Sequence, residues 1–159
     1  MAPTAAPTGR LGAYVETDAS PEQIQHLLSC MPDHVHDTSP EKILGCDLVR
    51  GDFGTPGCIV TWRYMLDGKA EKTKATYETI DYESKSVTFK VLEGDVMQEF
   101  MSFVKTMQAS AKSDGSKGSI VHWTVEYEKR HDSVGEPYSL LQLFVEVSGH
   151  MGAYLVKEK

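Results

Sequence analysis

Long apolar runs, clustered basic residues and paired cysteines are all lacking in this sequence. No run approaches the roughly 18 apolar residues that a membrane-spanning helix needs, so we expect no membrane span. Lys and Arg number 16 against 23 Asp and Glu, and the net charge of −7 argues against nucleic acid as a partner. Cys30, Cys46 and Cys58 show no CxxC spacing. We therefore expect free thiols and a cytoplasmic localisation.

Motifs for nucleotide binding and signs of a second domain are also lacking. The loop Gly51-Asp-Phe-Gly-Thr-Pro-Gly57 is rich in glycine, but neither a GK[ST] ending nor an amphipathic helix follows it. We interpret it as a connection between two strands and predict no cofactor. The 159 residues contain no internal repeat and indicate a single domain over 9–159. Residues 1–8 have neither the basic nor the apolar region of a signal peptide, and we expect a disordered lead-in there.

The strongest pattern that is present lies between Tyr138 and Val156. Apolar residues recur there at the i, i+3, i+4, i+7 spacing of an amphipathic helix with one buried face. Gly149 and Gly152 interrupt this helix, and each is about 1 kcal/mol less favourable than Ala. We therefore expect Gly149→Ala and Gly152→Ala to raise stability and to change ligand preference.

Between residues 9 and 130 apolar residues alternate in steps of two, which predicts strands. The expected strands are Gly9–Thr17, Lys42–Arg50, Cys58–Leu66, Ala70–Ile80, Ser86–Leu92, Phe100–Ala109 and Ile120–Lys129. The sequence Ser20-Pro-Glu-Gln23 predicts a capping box at the start of a short helix, and a turn or second short helix follows it. One long helix beside many strands indicates an α+β fold in which an antiparallel sheet wraps around the helix.

Several segments, taken in order, resemble the plant major latex proteins. They are Ser39-Pro-Glu-Lys-Ile43, Gly45-Cys-Asp-Leu48, the glycine loop, Asp67-Gly68-Lys69, Lys85-Ser-Val-Thr-Phe-Lys-Val-Leu-Glu-Gly-Asp95 and Trp123-Thr-Val-Glu-Tyr-Glu-Lys129. That family belongs to the group around the birch pollen allergen and the pathogenesis-related class-10 proteins. Phe53 stands where the family usually has Trp. The resemblance implies a helix-grip, START-like fold: seven antiparallel strands, two short helices after the first strand, and a long C-terminal helix over an internal hydrophobic cavity.

The resemblance also implies a function. Similar proteins bind or carry small hydrophobic plant metabolites or hormones, and some have roles in defence or stress. The alternative is an isomerase or cyclase of plant specialised metabolism, acting on an alkaloid or monoterpenoid intermediate in the same cavity. Related alkaloid-condensing enzymes carry a Lys on strand five and a Tyr and a Glu on strand four. This sequence has Val87, Thr73 and Ala75 there, so we do not expect that chemistry.

Strand phase and helix face select the residues expected to line the cavity. An ordinary filled core is the alternative, and the resemblance favours a hollow one. We expect a small hydrophobic molecule as the partner of a monomer or weak dimer. The predicted ligand-binding residues are Val60, Trp62, Tyr64, Thr73, Ala75, Tyr77, Val87, Phe89, Val91, Phe103, Lys105, Met107, Leu140, Leu143, Phe144, Val147 and Met151.

Lys105 interrupts an apolar face that is otherwise formed by Met101, Phe103, Met107 and Ala109. In an apolar cavity the pKa of a lysine falls, and the amine could form a Schiff base or pair with a ligand carboxylate. Alternatively, the amine reaches the cavity mouth, or a bulge reverses the strand phase. The catalytic candidates are Lys105, Tyr64 and Tyr77.

The segment Asp33-His-Val-His-Asp37 brings four metal-ligating residue types together, and His-x-His on an extended segment can chelate zinc. The segment lies in a polar turn region, where solvated side chains are the common case. We therefore predict no metal site.

Overall fold

The computed structural model describes residues 8–157, which form seven strands and three α-helices. The strands are β1 (Thr8–Thr17), β2 (Ile43–Arg50), β3 (Ile59–Leu66), β4 (Lys69–Asp81), β5 (Ser86–Gly94), β6 (Phe100–Ala111) and β7 (Ser119–Lys129). The α-helices are α1 (Pro21–Cys30), α2 (Val35–Thr38) and α3 (Tyr138–Lys157), and short 3₁₀ turns lie at Pro32–His34 and Asp95–Gln98. The predicted lead-in lies outside the described residues except for Thr8, which begins β1.

All seven strands join one antiparallel sheet in the order β1-β7-β6-β5-β4-β3-β2. Neighbours in the sheet are neighbours in sequence except at β1, which pairs with β7 from Thr8 opposite Glu128 to Thr17 opposite Ser119. The predicted seven-stranded sheet with a long C-terminal helix is confirmed. None of the helices in residues 8–157 is long and apolar enough to span a membrane.

The start of α1 is the predicted capping box. The backbone N–H of Gln23 donates to Ser20 Oγ at 3.1 Å, and the backbone N–H of Ser20 donates to Gln23 Oε1 at 2.9 Å. Further along the helix, Gln25 Nε2 donates to the carbonyl oxygens of Asp81 and Ser86, at 2.7 and 3.2 Å. These bonds fix α1 over the end of the sheet where β4 turns into β5.

A bulge near the start of β6 determines which of its side chains face the core. The pairing with β7 shifts between Phe100 and Ser102, and the extra residue reverses the alternation there. Phe100 therefore faces inward and is 5% exposed, whereas Met101 is 50% exposed. The expected inward position of Met101 is wrong. From Phe103 onward the alternation runs as predicted, and Lys105 is buried.

The helix α3 packs across one face of the sheet and contacts β1 and β7. A Cβ added at Gly152 would overlap the side chain of Thr17, with Thr17 Cγ2 only 2.8 Å away. At Gly149 the nearest atom to an added Cβ is Val15 Cγ2, at an ordinary 3.8 Å. Gly152 therefore permits the close approach of α3 to β1, and this contact predicts the opposite of the stabilisation expected for Gly152→Ala.

Candidate ligand-binding site

Between the sheet and α3 lies an apolar region that we call the inner space. Its cavity has a volume of about 50 Å³. The free space is about 620 Å³ when the narrow crevices between side chains and the opening to solvent are included. Small-molecule sites usually measure at least about 300 Å³. Side chains thus occupy most of the region, and a ligand-sized cavity remains a prediction that requires α3 or the lining side chains to move.

Most of the predicted cavity residues line the inner space. Their binding of a ligand stays a prediction, although strand phase and helix face bring them together around one volume. They are Trp62, Tyr64, Thr73, Phe89, Val91, Phe103, Lys105, Leu140, Leu143, Phe144, Val147 and Met151.

Five predicted cavity residues do not line the inner space, although each is completely buried. The helix α1 contacts β5 and β6 and covers part of the same sheet face, so that the Tyr77 hydroxyl donates to the Leu28 carbonyl oxygen at 2.7 Å. Strand phase identifies the face that a side chain occupies but not the helix that covers it. The five residues that were expected in the cavity wall and are instead buried outside it are Val60, Ala75, Tyr77, Val87 and Met107.

The structure adds five lining residues that the sequence reasoning did not select. Trp123 on β7 was recognisable, because it shares an inward strand phase with Val125 and Tyr127. The others depend on how the short helices and turns fold over the sheet, which strand periodicity does not encode. The added residues are Leu28, Val35, Ile43, Val96 and Trp123.

Lys105 carries the charge in this wall. Its Nζ atom lies 4.8, 5.0 and 5.8 Å from the ring centroids of Phe144, Phe89 and Trp62. None of the ion pairs in residues 8–157 includes Lys105. Burial lowers its pKa to about 8, because the ammonium form loses hydration that three rings replace only in part. Its predicted place among apolar side chains is confirmed, and its chemical role stays a prediction.

The two tyrosine candidates differ in their access to the inner space. Tyr64 lines it, and its hydroxyl lies 3.5 Å from Glu71 Oε1. Burial, reinforced by the Glu71 carboxylate, raises the pKa of Tyr64 well above its usual range. The hydroxyl of Tyr77 donates its hydrogen bond to the Leu28 carbonyl oxygen, and burial raises the pKa of Tyr77 as well. The Tyr64 hydroxyl is therefore accessible from the inner space and stays neutral, and its catalytic role stays a prediction, whereas the Tyr77 hydroxyl is occupied by a bond within the protein.

Both tryptophans of the chain contribute to the wall. The indole N–H of Trp123 donates to Ser148 Oγ on α3 at 2.7 Å. The indole N–H of Trp62 is buried and has no acceptor among residues 8–157. Leaving a buried donor unpaired costs about 1–3 kcal/mol. The wall therefore has an unused hydrogen-bond donor, and the centroid of the ring that carries it lies 5.8 Å from Nζ of Lys105.

Next to the inner space lies a surface hollow that we call the acidic depression. Val96 and Leu140 line both regions. Burial and the neighbouring Asp95 raise the pKa of Glu71, while Asp95 accepts a hydrogen bond from the backbone N–H of Lys72 at 2.8 Å. A ligand that enters past this hollow meets negative charge. The carboxylates that line it are those of Asp67, Glu71, Asp95, Glu99 and Glu136.

The histidine segment and the glycine loop both contact neighbouring parts of the chain. His36 Nδ1 lies 2.6 Å from the Ile43 carbonyl oxygen, and His34 lies between Asp33 and Asp37 at 3.9 and 3.6 Å. Within residues 8–157 no group of three His, Cys, Asp and Glu side chains is arranged to hold a metal ion. The glycine loop connects β2 and β3, with positive φ at its three glycines.

A seven-stranded antiparallel sheet with a long C-terminal helix packed over an apolar wall defines the helix-grip class of α+β proteins. The pathogenesis-related protein Bet v 1 family matches residues 6–158, and the chain belongs to this family.

Its similar relatives include major latex proteins. The chain is 43% identical to MLP-like protein 43 of Arabidopsis thaliana over 159 residues, which is 100% of both chains. It is 45% identical over 161 residues to MLP-like protein 34 of the same plant, of whose length it spans 51%. Ginseng major latex-like protein 151 from Panax ginseng is 36% identical, with a TM-score of 0.87 over 92% of this chain and 97% of that one.

A more distant structural match is norcoclaurine synthase from Thalictrum flavum. Its TM-score is 0.79 over 100% of both chains, at 16% identity. At this level of identity the likeness concerns the fold alone.

Proposed function

We propose that this protein binds and carries a small apolar molecule in the inner space. The observation that carries the proposal is an apolar wall in which the hydroxyl and amine groups are few, namely those of Tyr64, Thr73 and Lys105. Burial of apolar ligand surface contributes about 25 cal/mol per Å², and the few polar groups set the orientation of the ligand.

Ligand entry requires an opening movement, because about 50 Å³ does not hold such a molecule. On one side, α3 is attached by a hydrogen bond of 2.8 Å between Ser39 Oγ and His150 Nδ1 and by an ion pair of 3.0 Å between Lys42 and Glu146. The ion pair is partly exposed and contributes at most about 1 kcal/mol. On the other side, Gly152 packs tightly against β1. We infer that α3 opens on the side of Lys42.

The test is a titration with steroids, flavonoids and terpenoids, followed by intrinsic fluorescence. Trp62 and Trp123 both line the inner space, so a bound ligand changes their emission. We expect saturable binding with one ligand per chain, verified by calorimetry. If no member of the three classes and no smaller apolar acid, alcohol or amine binds saturably in calorimetry, the carrier function is rejected.

A second candidate is an isomerase or cyclase that acts on a reactive intermediate of plant specialised metabolism. The observation that favours it is the amine of Lys105, which is buried among aromatic rings and has a pKa of about 8. Such a group exchanges protons near neutral pH. This function requires the product ratio of a spontaneous cyclisation to change with the protein present and to revert with Lys105→Met. If the product ratio does not change with the protein present, the isomerase or cyclase function is rejected and the carrier function remains.

We also propose a cytosolic location, in keeping with the free thiols of Cys30, Cys46 and Cys58. A role in defence or stress is proposed at the level of the family. Fractionation of plant tissue with an antibody to the protein tests the location, and recovery in a secreted fraction would contradict it.

A further inference from the structure

Within residues 8–157 the inner space contains a buried ammonium without a carboxylate partner and a buried indole N–H without an acceptor. Lys105 is 8% exposed and forms no ion pair within residues 8–157, and the buried indole N–H of Trp62 is unpartnered in the same range. Nζ of Lys105 lies over the Trp62 ring, 5.8 Å from its centroid, so both donors belong to the same part of the wall. An unpaired ammonium and an unpaired N–H in one apolar wall are matched by a single negatively charged acceptor.

We propose that the ligand is an apolar molecule with one carboxylate, that this carboxylate pairs with Lys105 Nζ, and that the Trp62 N–H is its second donor. The proposal rests on the proposed function and names the chemical class of the ligand. A phosphate monoester fits less well, since it carries about 1.5 to 2 negative charges at neutral pH and only one positive charge lines the wall. A cationic amine is repelled by Lys105.

Preorganisation makes the pairing favourable. Burying an ion pair is usually expensive, because both charges lose their hydration. Here the ammonium of Lys105 is already dehydrated in the free protein, and only the ligand carboxylate loses water on binding. The three rings of Trp62, Phe89 and Phe144 hold Nζ in place before the ligand arrives.

The acidic depression repels an anionic ligand, but this repulsion acts more on the approach of the ligand than on the bound state. Its carboxylates lie at the surface, where salt screens charges beyond about 8 Å at physiological ionic strength. They slow the approach of an anionic ligand more than they weaken the bound state, which is governed by Lys105 inside the apolar wall.

The test uses three probes with one skeleton: 1-naphthylacetate, 2-(1-naphthyl)ethanol and the cation of 2-(1-naphthyl)ethylamine. Calorimetry at about pH 6.5 measures their affinities for the native protein. We expect the acid to bind at least about tenfold more tightly than the alcohol, and the amine to bind most weakly. Lys105→Met removes the preference for the acid and changes the affinity for the alcohol by less than about threefold.

Two further variants separate the roles. Lys90→Met removes an exposed charge of β5 and is the control for net charge, so it leaves the preference for the acid intact. Trp62→Phe removes the second donor and lowers the affinity for the acid about three- to tenfold, with a smaller effect on the alcohol. Thermal unfolding verifies that each variant folds, and the comparison of probes on the native protein stands even if Lys105→Met does not fold.

Proton uptake gives an independent readout near pH 8. The free amine is then partly deprotonated, and pairing with a carboxylate draws a proton from the buffer, whereas the alcohol draws none. Cys46 on β2 acts on the charge of Lys105 and Tyr64 on β3 lines the same space, and burial raises the pKa of both so that they stay neutral there. The residues of α1 and α3 in the wall carry no titratable group.

The outcomes are distinguishable. Equal affinities for acid and alcohol, or a preference for the acid that survives in Lys105→Met, overturn this proposal and leave the carrier function standing. Binding of other apolar molecules without binding of the acid also overturns it. Failure of all three probes and of the steroids, flavonoids and terpenoids rejects the carrier function itself.

Discussion

At the scale of single residues, Lys105 has a direct effect on stability. Its pKa falls from 10.5 to about 8 on folding, so between these values the unfolded chain binds more protons than the folded one. The contribution of Lys105 to the free energy of unfolding therefore rises with pH between these two values. Below about pH 8 the folded protein holds a buried ammonium at a cost on the order of 3 kcal/mol.

We predict that Lys105→Met is more stable than the native protein at neutral pH, by about 1–3 kcal/mol. The difference shrinks as the pH rises from about 8 towards 10.5, because the native lysine then becomes neutral in the folded state. Urea unfolding of both proteins across this range measures it. A difference that is independent of pH would exclude the lowered pKa of Lys105 as its cause.

Lys105 and Met101 also show what the sequence can predict at this scale. The alternation along β6 was enough to predict that Lys105 is buried, since the strand is regular from Phe103 onward. It was wrong for Met101, because one extra residue near Phe100 reverses the phase. A bulge depends on the pairing with β7 and has no signal in the hydrophobic pattern.

At the scale of elements, the two glycines of α3 have opposite roles. We predict that Gly149→Ala raises the free energy of unfolding by about 1 kcal/mol, because the added methyl finds room and helix propensity improves. Gly152→Ala lowers it by about 1–3 kcal/mol, because the methyl overlaps Thr17. Thr17 cannot withdraw easily, since its hydroxyl lies 3.0 Å from Ser119 Oγ and donates to the Ala19 carbonyl oxygen at 3.3 Å.

Thermal and urea unfolding of these two single variants provide the measurement, and each variant is the matched control of the other. Equal shifts in stability would show that α3 does not depend on close contact with β1. Because Gly152→Ala pushes α3 away from the sheet, we also expect it to change ligand preference. For Gly149→Ala the ordinary contact of 3.8 Å with Val15 replaces the expectation from the sequence, and we predict an unchanged preference.

The attachment of α3 near Lys42 gives a kinetic prediction. We predict that Lys42→Met speeds association of 2-(1-naphthyl)ethanol about two- to fivefold, because the ion pair with Glu146 no longer holds α3. Stopped-flow tryptophan fluorescence measures the rate.

Lys74→Met is the control for this variant. It breaks a comparable ion pair of 3.1 Å with Glu93, which joins β4 and β5 and does not involve α3. If both variants change the rate equally, α3 does not open on the side of Lys42.

The elements themselves follow from local signals in the sequence. The capping box at Ser20 and the alternation of the strands are decided by neighbours in the chain, and their predicted bounds differ from the observed ones by a few residues at most. The cover that α1 provides for Tyr77 and Val87 depends on contacts between distant segments. For this reason the predicted cavity extended too far along the sheet.

At the scale of the whole molecule, the net charge of −7 and the acidic depression act together on charged ligands. We predict that association of 1-naphthylacetate becomes faster as ionic strength rises from about 0.01 to 0.15 M, because screening weakens the repulsion. The neutral 2-(1-naphthyl)ethanol shows no such dependence. Stopped-flow fluorescence with both probes measures the effect, and equal salt dependence would exclude an electrostatic cause.

The volume of the inner space also belongs to the whole molecule, and it could not be predicted from the sequence. It is set by the separation between α3 and the sheet, where a shift of a few ångströms converts a filled core into a cavity. The residues that face each other across that gap, such as Phe89 and Phe144, were nevertheless correctly assigned to it. Residue identity and periodicity thus predicted most of the wall but not its spacing.

The pairing of β1 with β7 has a consequence for synthesis on the ribosome. The first strand acquires its partner only after Lys129 has emerged, and α3 follows later still. Until then the inward side chains of β1, such as Val15, have no cover, and the nascent chain depends on chaperones or on its own collapse to avoid aggregation. Deletion of α3 would therefore leave the inward face of β1 uncovered and reduce the yield of folded protein.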